Sequence, residues 1–245
     1  MKTVLITGAN RSIGLETAKQ LSTKGLFVYL GTRDLAKGEE VVKELNGNGF
    51  QNIQAIQIDV INAESVLAAK NTVEKEQGKL DILINNAGIL GDTPQDASTT
   101  SVESIQKVFD TNFFGVISVT QTFMELLKKS DSPRISNITS GLGSLTLHSD
   151  PTWKYYAIKA VSYVSSKTAL NAFTVTLAHE LKDQNFKVNS IDPGYTATDF
   201  NHHSGPQSVE KAASFIIKHT LVDEDGPTGK FFSPDIEDES EESPW

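Results

Sequence analysis

Short apolar runs alternate with longer amphipathic ones along this chain, and that alternation narrows the possible folds more than any other feature. The short runs are "TVLIT" (Thr3–Thr7), "FVYLG" (Phe27–Gly31), "IQAIQID" (Ile53–Asp59), "LDILIN" (Leu80–Asn85), "RISNIT" (Arg134–Thr139) and "KVNSID" (Lys187–Asp192). They are rich in β-branched residues and mostly apolar, as strands covered on both faces must be. Between them lie segments with helical spacing, clearest at Ile13–Lys24, Ala63–Glu76, Val102–Lys129 and Tyr163–Asp183. Repeated strand–helix–strand units require a parallel sheet with right-handed crossovers. The expectation is an α/β, doubly wound (Rossmann) parallel sheet of about seven strands with helices on both faces. The last strand falls near "GKFFS" (Gly229–Ser233). No linker or repeat divides the chain, so 1–233 reads as a single domain. Residues 234–245 read as an acidic C-terminal tail, whose "DIEDESEE" (Asp235–Glu242) is expected to be solvated and mobile.

Composition sets limits on function. The net charge is -9, which opposes general binding of nucleic acid or an anionic membrane. A small anion held by a few local cations is still allowed. With no cysteine there is neither a disulfide frame nor a thiolate metal site. His202–His203 is an isolated pair, so no metal site is expected. No apolar run approaches membrane-span length, and the chain start reads as a buried strand, not a signal peptide. The reading is a cytoplasmic protein.

In a doubly wound sheet, ligands bind beyond the carboxyl ends of the strands. Unusual residues gather there. "TGANRSIG" (Thr7–Gly14) follows the first strand and opens the first helix. Gly8 suits a tight turn and Gly14 a close helix–strand approach, and the helix amino end offers free N–H groups to a phosphate. The spacing resembles the TGxxxGxG loop of the short-chain dehydrogenase/reductase family, with Ser12 where the middle glycine usually sits. The resemblance implies cofactor contacts from Gly8, Asn10, Arg11, Ser12, Ile13 and Gly14. At the end of the second strand, an NAD site would place a carboxylate. Thr32 stands there instead, followed by Arg33. A guanidinium suits a 2′-phosphate, and Arg11 is within reach of the same group, so the expected cofactor is NADP(H). By the same resemblance, Asp59 and Val60 meet the adenine ring. "NNAG" brings Asn86, Ala87 and Gly88 against the cofactor. "DPGYTATD" (Asp192–Asp199) supplies Pro193, Gly194, Thr196 and Thr198 to the nicotinamide side.

The stretch "YYAIKAVSYVSSK" holds two Tyr-x-x-x-Lys pairs, Tyr155–Lys159 and Tyr163–Lys167. With 5 Tyr in the chain, about 0.4 such pairs arise by chance, so spacing alone does not choose between them. Tyr163 opens a segment in which Leu170, Phe173, Leu177 and Leu181 recur at helical spacing, which places Tyr163 and Lys167 one turn apart on one face. The following "SKTALNAFT" resembles the family's active-site helix, whereas Tyr155–Lys159 follows a loop-like run with Pro151. Tyr163 and Lys167 are therefore the chosen pair, also in contact with cofactor. Tyr155 and Tyr156 are expected to line the substrate side. A lysine ammonium about 4 Å from a phenol favours its ionisation by roughly 4 kcal/mol, about a thousandfold in acidity. Tyr163 is thus expected to exchange a proton near neutral pH.

The resemblance adds Ser140, closing "NITS", as the hydrogen-bond partner of a substrate carbonyl. Ser136, Thr139 and Ser144 remain rival assignments. It also adds Asn112 in "DTNFFG", as a residue that bends its helix and holds a water near Lys167. Tyr163 follows Ser140 by 23 residues, against about 12 in short family members, so Gly141–Ser162 is an inserted loop that shapes the pocket. Phe200–His219 is expected to form a mobile lid. "GPTGKFF" and the terminal "SPW" resemble the carbonyl-reductase-like branch. The implied activity is hydride transfer between NADP(H) and a small-molecule carbonyl or secondary alcohol, through Asn112, Ser140, Tyr163 and Lys167. Homo-oligomers pairing through the two long helices are common in the family. Two alternatives stand beside this: a non-enzymatic NADP(H)-binding regulatory protein, and a ketoacyl-carrier-protein reductase, whose usual basic docking patch is not evident here.

Overall fold

Seven parallel strands form one sheet in the order β3-β2-β1-β4-β5-β6-β7 in the computed structural model, which describes Met1 to Trp245. The strands are β1 (Thr3–Ile6), β2 (Phe27–Thr32), β3 (Ile53–Gln57), β4 (Ile82–Asn85), β5 (Arg134–Ile138), β6 (Lys187–Ile191) and β7 (Phe231–Phe232). The helices are α1 (Ser12–Thr23), α2 (Leu35–Gly47), α3 (Ala63–Gln77), α4 (Val102–Phe109), α5 (Gly115–Leu127), the one-turn α6 (Leu145–His148), α7 (Val161–Glu180) and α8 (Val209–Thr220). The expected doubly wound sheet is present.

Alternation along the strands divides the core into two layers. Leu5 and Leu83 point to the face covered by α3, α5 and α7, packing with Val66, Phe123 and Leu177. Val4, Ile6, Ile82 and Ile84 point to the opposite face, packing with Leu21 of α1 and Phe215, Ile216 and Ile217 of α8. A side-chain period of two on strands buried on both faces explains why these runs are apolar throughout. The chain reverses its direction of travel across the sheet between β1 and β4. Their carboxyl ends therefore open a crevice, the position where such sheets take ligands.

Three expectations require correction. Val102–Lys129 is not one helix: a wide π-turn at Asp110–Phe114 separates α4 from α5 and carries Asn112 inward. The supposed lid Phe200–His219 is a loop only as far as Gln207. Ser208 caps the amide of Lys211, and α8 then buries Ala212, Ala213, Phe215, Ile216 and Ile217, largely against α1 and the sheet. An apolar stripe at helical spacing anchors this segment. The acidic tail is not a free end. Glu242 bridges Phe232, the Ser243 amide donates to the Phe231 carbonyl at 2.7 Å, and Trp245 stacks on Phe231 at 5.6 Å. Lys218 pairs with Glu241, which also meets the His219 ring, and Lys230 pairs with Glu242, so the end of the acidic run is anchored. The sequence reading also did not single out α2, whose one fully apolar anchor is Leu45.

Candidate active site

The glycine turn is fixed by contact. Gly8 has φ +62°, and a Cβ there would lie 3.0 Å from the Ala87 backbone. A Cβ on Gly14 would lie 2.6 Å from the Asn86 amide nitrogen and 2.8 Å from the Gly8 carbonyl. Neither position tolerates a side chain without displacing its neighbours. Ser12 also sits in the left-handed region, at φ 51°, which is where a glycine would carry no penalty. Asn86 donates to the carbonyls of Thr7 and Gly8, and the Thr7 hydroxyl accepts the amides of Asn86 and Ala87. The β1 and β4 turns are thus stitched together. Arg11 precedes α1 and offers no side-chain cap, so the first amides of the helix remain available to an anion. The turn and its uncapped helix fit a pyrophosphate.

At the end of β2, Thr32 is buried and hydrogen-bonds Asp34, while Arg33 lines the cleft without a carboxylate partner. Arg11 and Lys37 line the same end. Each has an exposed, loose ion pair, Arg11 with Asp199 at 3.5 Å and Lys37 with Asp34 at 3.5 Å. The sequence reading overlooked Lys37, which lies one turn into α2. Asp59 and Val60 line the cleft beside this cluster.

The other end of the cleft holds Ser140, Tyr163 and Lys167. Tyr163 and Lys167 are almost fully buried on α7. The Lys167 ammonium donates to the Ile138 carbonyl at 2.7 Å and stands 5.7 Å from the Tyr163 ring centre. Ser140 stands close enough to the phenol to favour its ionisation, and its hydroxyl accepts the amide of Leu142. The rivals are engaged elsewhere: Ser136 with Thr220, Ser144 as the cap of α6, and Thr139 with the Lys167 carbonyl. The second Tyr–Lys pair is not a pair in space. Lys159 turns to the His148 carbonyl at 2.7 Å, and Tyr155 packs on Trp153 and Tyr195.

Burial governs the ionisation here. It pushes the Tyr163 phenol well above its ordinary range, with the charge of Asp192 adding to the effect and Ser140 opposing it. It pushes Lys167 down to about 8, opposed by Asp192. The expectation that Lys167 makes the phenol more acidic is therefore not met in the protein alone, where burial and Asp192 set the direction. The Asn112 side chain accepts the Ile89 amide at 2.8 Å and donates to the Ile89 carbonyl and to Ser166. Both its donors are spent, so only one lone pair of Oδ1 is open to a water.

Beyond β6, Gly194 has φ +80°. Thr196 donates to the Gly194 carbonyl, and Thr198 begins a short turn at Asp199–Asn201. Pro193, Gly194, Thr196 and Thr198 all line the cleft. So does Asp192, which the sequence reading quoted only as the start of a motif. Its position at a strand's carboxyl end was the available signal. Below the site, Asn85 donates to Asn137, Asn137 to Thr174, and Ser190 to Thr174, a buried polar chain crossing β4, β5 and β6.

The cleft measures about 780 Å³. Its outer wall at the Tyr163 end is apolar, with Leu142, Tyr155, Ile158, Tyr195 and Phe200. Phe200 lies 5.6 Å from the Tyr163 ring.

A family model described as short chain dehydrogenase matches residues 2–208. The short-chain dehydrogenase anuI of Penicillium roqueforti is 38% identical over 242 residues, covering 97% of this chain and 94% of its own. Salutaridine reductase of Papaver somniferum is 30% identical over 290 residues, 93% of each chain. The solved structure of that reductase has a TM-score of 0.83 to this chain at 29% identity, covering 96% of this chain and 100% of its own. An NADPH-bound carbonyl reductase from chicken fatty liver has a TM-score of 0.83 at 25% identity, covering 95% and 96%.

Proposed function

This chain belongs to the short-chain dehydrogenase family, and from that premise we propose that it is an NADP(H)-dependent reductase of bulky, apolar carbonyl compounds. The observation that carries the reading is the convergence of Ser140, Tyr163 and Lys167 at one end of a cleft whose other end is the glycine turn. NADP(H) is favoured over NAD(H) by Arg33, Arg11 and Lys37 gathered where Thr32 replaces a carboxylate.

The residues that would hold the cofactor run the length of the cleft. The α1 amino end takes the pyrophosphate, Asp59 and Val60 flank the adenine, and Asn86 to Gly88 form the floor. Pro193, Gly194, Thr196 and Thr198 meet the nicotinamide side. When bound, the nicotinamide supplies the hydride and, in its oxidised form, a positive charge beside the phenol. Ser140 donates to the substrate oxygen and orients the carbonyl. Tyr163 gives its proton to that oxygen as negative charge develops. Lys167, cationic at neutral pH, supports the phenolate that remains and holds the nicotinamide ribose. Asn112 fixes the Ile89 segment beside Lys167 and offers one lone pair to a water that resupplies the proton. The wall of Leu142, Tyr155, Ile158, Tyr195 and Phe200 favours large apolar substrates, since fully burying an apolar side-chain-sized group contributes about 1.5–3 kcal/mol.

The test is NADPH consumption with a graded set of ketones, from acetone-sized to bicyclic and aromatic. Turnover is expected to rise with apolar bulk, with NADPH preferred over NADH by at least about tenfold. Tight NADPH binding with no carbonyl turned over, or a preference for NADH, would overturn the reading.

A further inference from the structure

Asp192 is a buried carboxylate that the scheme above does not use. It is 5% exposed and lies in the cleft wall at the carboxyl end of β6. Oδ1 accepts the Gly194 amide at 2.9 Å, and Oδ2 accepts the Ser233 hydroxyl at 2.8 Å. The Gly141 backbone packs against it, and a Cβ there would lie 3.0 Å from Oδ2. The backbone amide of Asp192 is bonded to the Phe232 carbonyl at 2.8 Å. One carboxylate therefore joins three separate pieces of the site: the Ser140–Gly141 turn after β5, the Pro193–Gly194 turn after β6, and the chain leaving β7.

A buried charge is costly, and a neutral side chain could fill the same space. Burial pushes this carboxyl up to about 6, opposed by the hydrogen bonds from Gly194 and Ser233. The charged and titratable groups facing it come from every neighbouring element. They are Tyr163 and Lys167 on α7, Tyr155 in the loop before it, and Asp235 after β7. Asp235 is itself paired with Lys154 at 2.7 Å, yet its charge still adds to the rise of Asp192. Asp192 is the one negative charge that acts on the Tyr163 phenol.

We propose that Asp192 is a positioning residue of this reductase: it ties the Pro193–Gly194 turn to the chain leaving β7 and seats both against the Ser140–Gly141 turn, beside the phenol that donates the proton. The proposal rests on Tyr163 being the proton donor. The directions agree with it, because the charge of Asp192 disfavours ionisation of Tyr163 and favours that of Lys167. Both effects extend the working form of the pair to higher pH.

Asp192→Asn keeps the shape and one acceptor but removes the charge. The alkaline limb of kcat/KM for ketone reduction is expected to move down by about one pH unit, with NADPH affinity changed less than about twofold. Asp192→Glu retains the charge and is expected to restore the limb while kcat stays reduced, since the clamp is misplaced. Ser233→Ala removes one donor to the carboxylate, and the acid limb is expected to move up. An Asp192→Asn protein with wild-type melting temperature, wild-type kcat and an unmoved alkaline limb would overturn the proposal. If that variant does not fold, an unmoved acid limb in Ser233→Ala overturns it. Wild-type turnover that survives in Tyr163→Phe would instead remove the reading beneath it, and the proposal with it.

Discussion

The two ends of the cleft are built in opposite ways. At the dinucleotide end, side chains sit on or beside strand ends and are held by backbone contacts. Gly8 and Gly14 leave no room for a Cβ, and Asn86 locks two turns together. At the substrate end, the wall comes from long connections. Tyr155 and Ile158 lie between α6 and α7, Tyr195 and Phe200 between β6 and α8, and all but Tyr155 count among the exposed large hydrophobics. Rigid strand ends fix where a cofactor lies, while the loops that grip the substrate are free to differ. Tyr163 stands at the boundary. Its helix is part of the rigid half, and its ring faces Phe200 of the variable half.

The sharpest way to break this division is at the two tyrosines. Tyr163→Phe is expected to lower kcat by about 10²–10⁴-fold with NADPH affinity within about twofold of wild type, measured by steady-state kinetics and fluorescence titration. Tyr155→Phe removes a hydroxyl from the variable wall and is expected to raise the ketone KM a few-fold with little change in kcat. The reverse result would place the chemistry in the loop and end the distinction. A smaller effect sharpens the dinucleotide side. Arg33→Ala is expected to raise the KM for NADPH by about 10–100-fold, the size of one lost charge-assisted contact, and to leave the KM for NADH unmoved. Equal losses for both cofactors would mean that Arg33 shapes the turn and does not select the phosphate.

The same division explains what was legible in the sequence. Residues at strand ends were found because strand period and turn chemistry are local: Gly8, Arg33, Asn86 and Gly194 all line the cleft. Tyr163 and Lys167 were found because a helix repeats every turn. The misses are all long-range. Lys37 reaches the cleft only because α2 follows β2 at a particular angle. Asp192 reads as part of a turn until Gly141 and Ser233 are seen around it. The stripe of α8 was taken for a lid because it shows itself as core only when packed on α1. The depression of the phenol's pKa was expected from one neighbour, whereas burial depends on the whole fold.

The tail tests whether the variable half is held as a unit. Trp245 accepts the Thr146 amide at 3.0 Å through its carbonyl, which ties the tail to the loop after Ser140. Glu241 pairs with Lys218 and His219, and Asp235 lines the cleft. Removing Glu241–Trp245 is expected to lower the melting temperature at pH 7 by about 3–6 °C, the equivalent of roughly 1–2 kcal/mol, and to raise the ketone KM more than the NADPH KM. The size of that loss should depend on pH. Burial against Phe215 and Phe232 holds His219 below its usual 6.5, even though Glu241 pulls the other way, so burial wins. A depressed imidazole contributes stability above 6.5 that is lost as pH falls through its lower folded value. For Glu241, burial opposes ionisation, but Lys218 and His219 together hold it below 4.5, so its contribution also disappears as pH falls. The two groups act in opposite directions: truncation removes the carboxylate that raises His219, so the gap between the full and shortened chains should widen as pH falls below 6.5 and narrow again only as Glu241 itself is protonated, below 4.5. A gap that stays constant across that range would mean that the tail is held by Trp245 and backbone bonds alone, and equal ketone KM values would mean that it does not support the substrate wall.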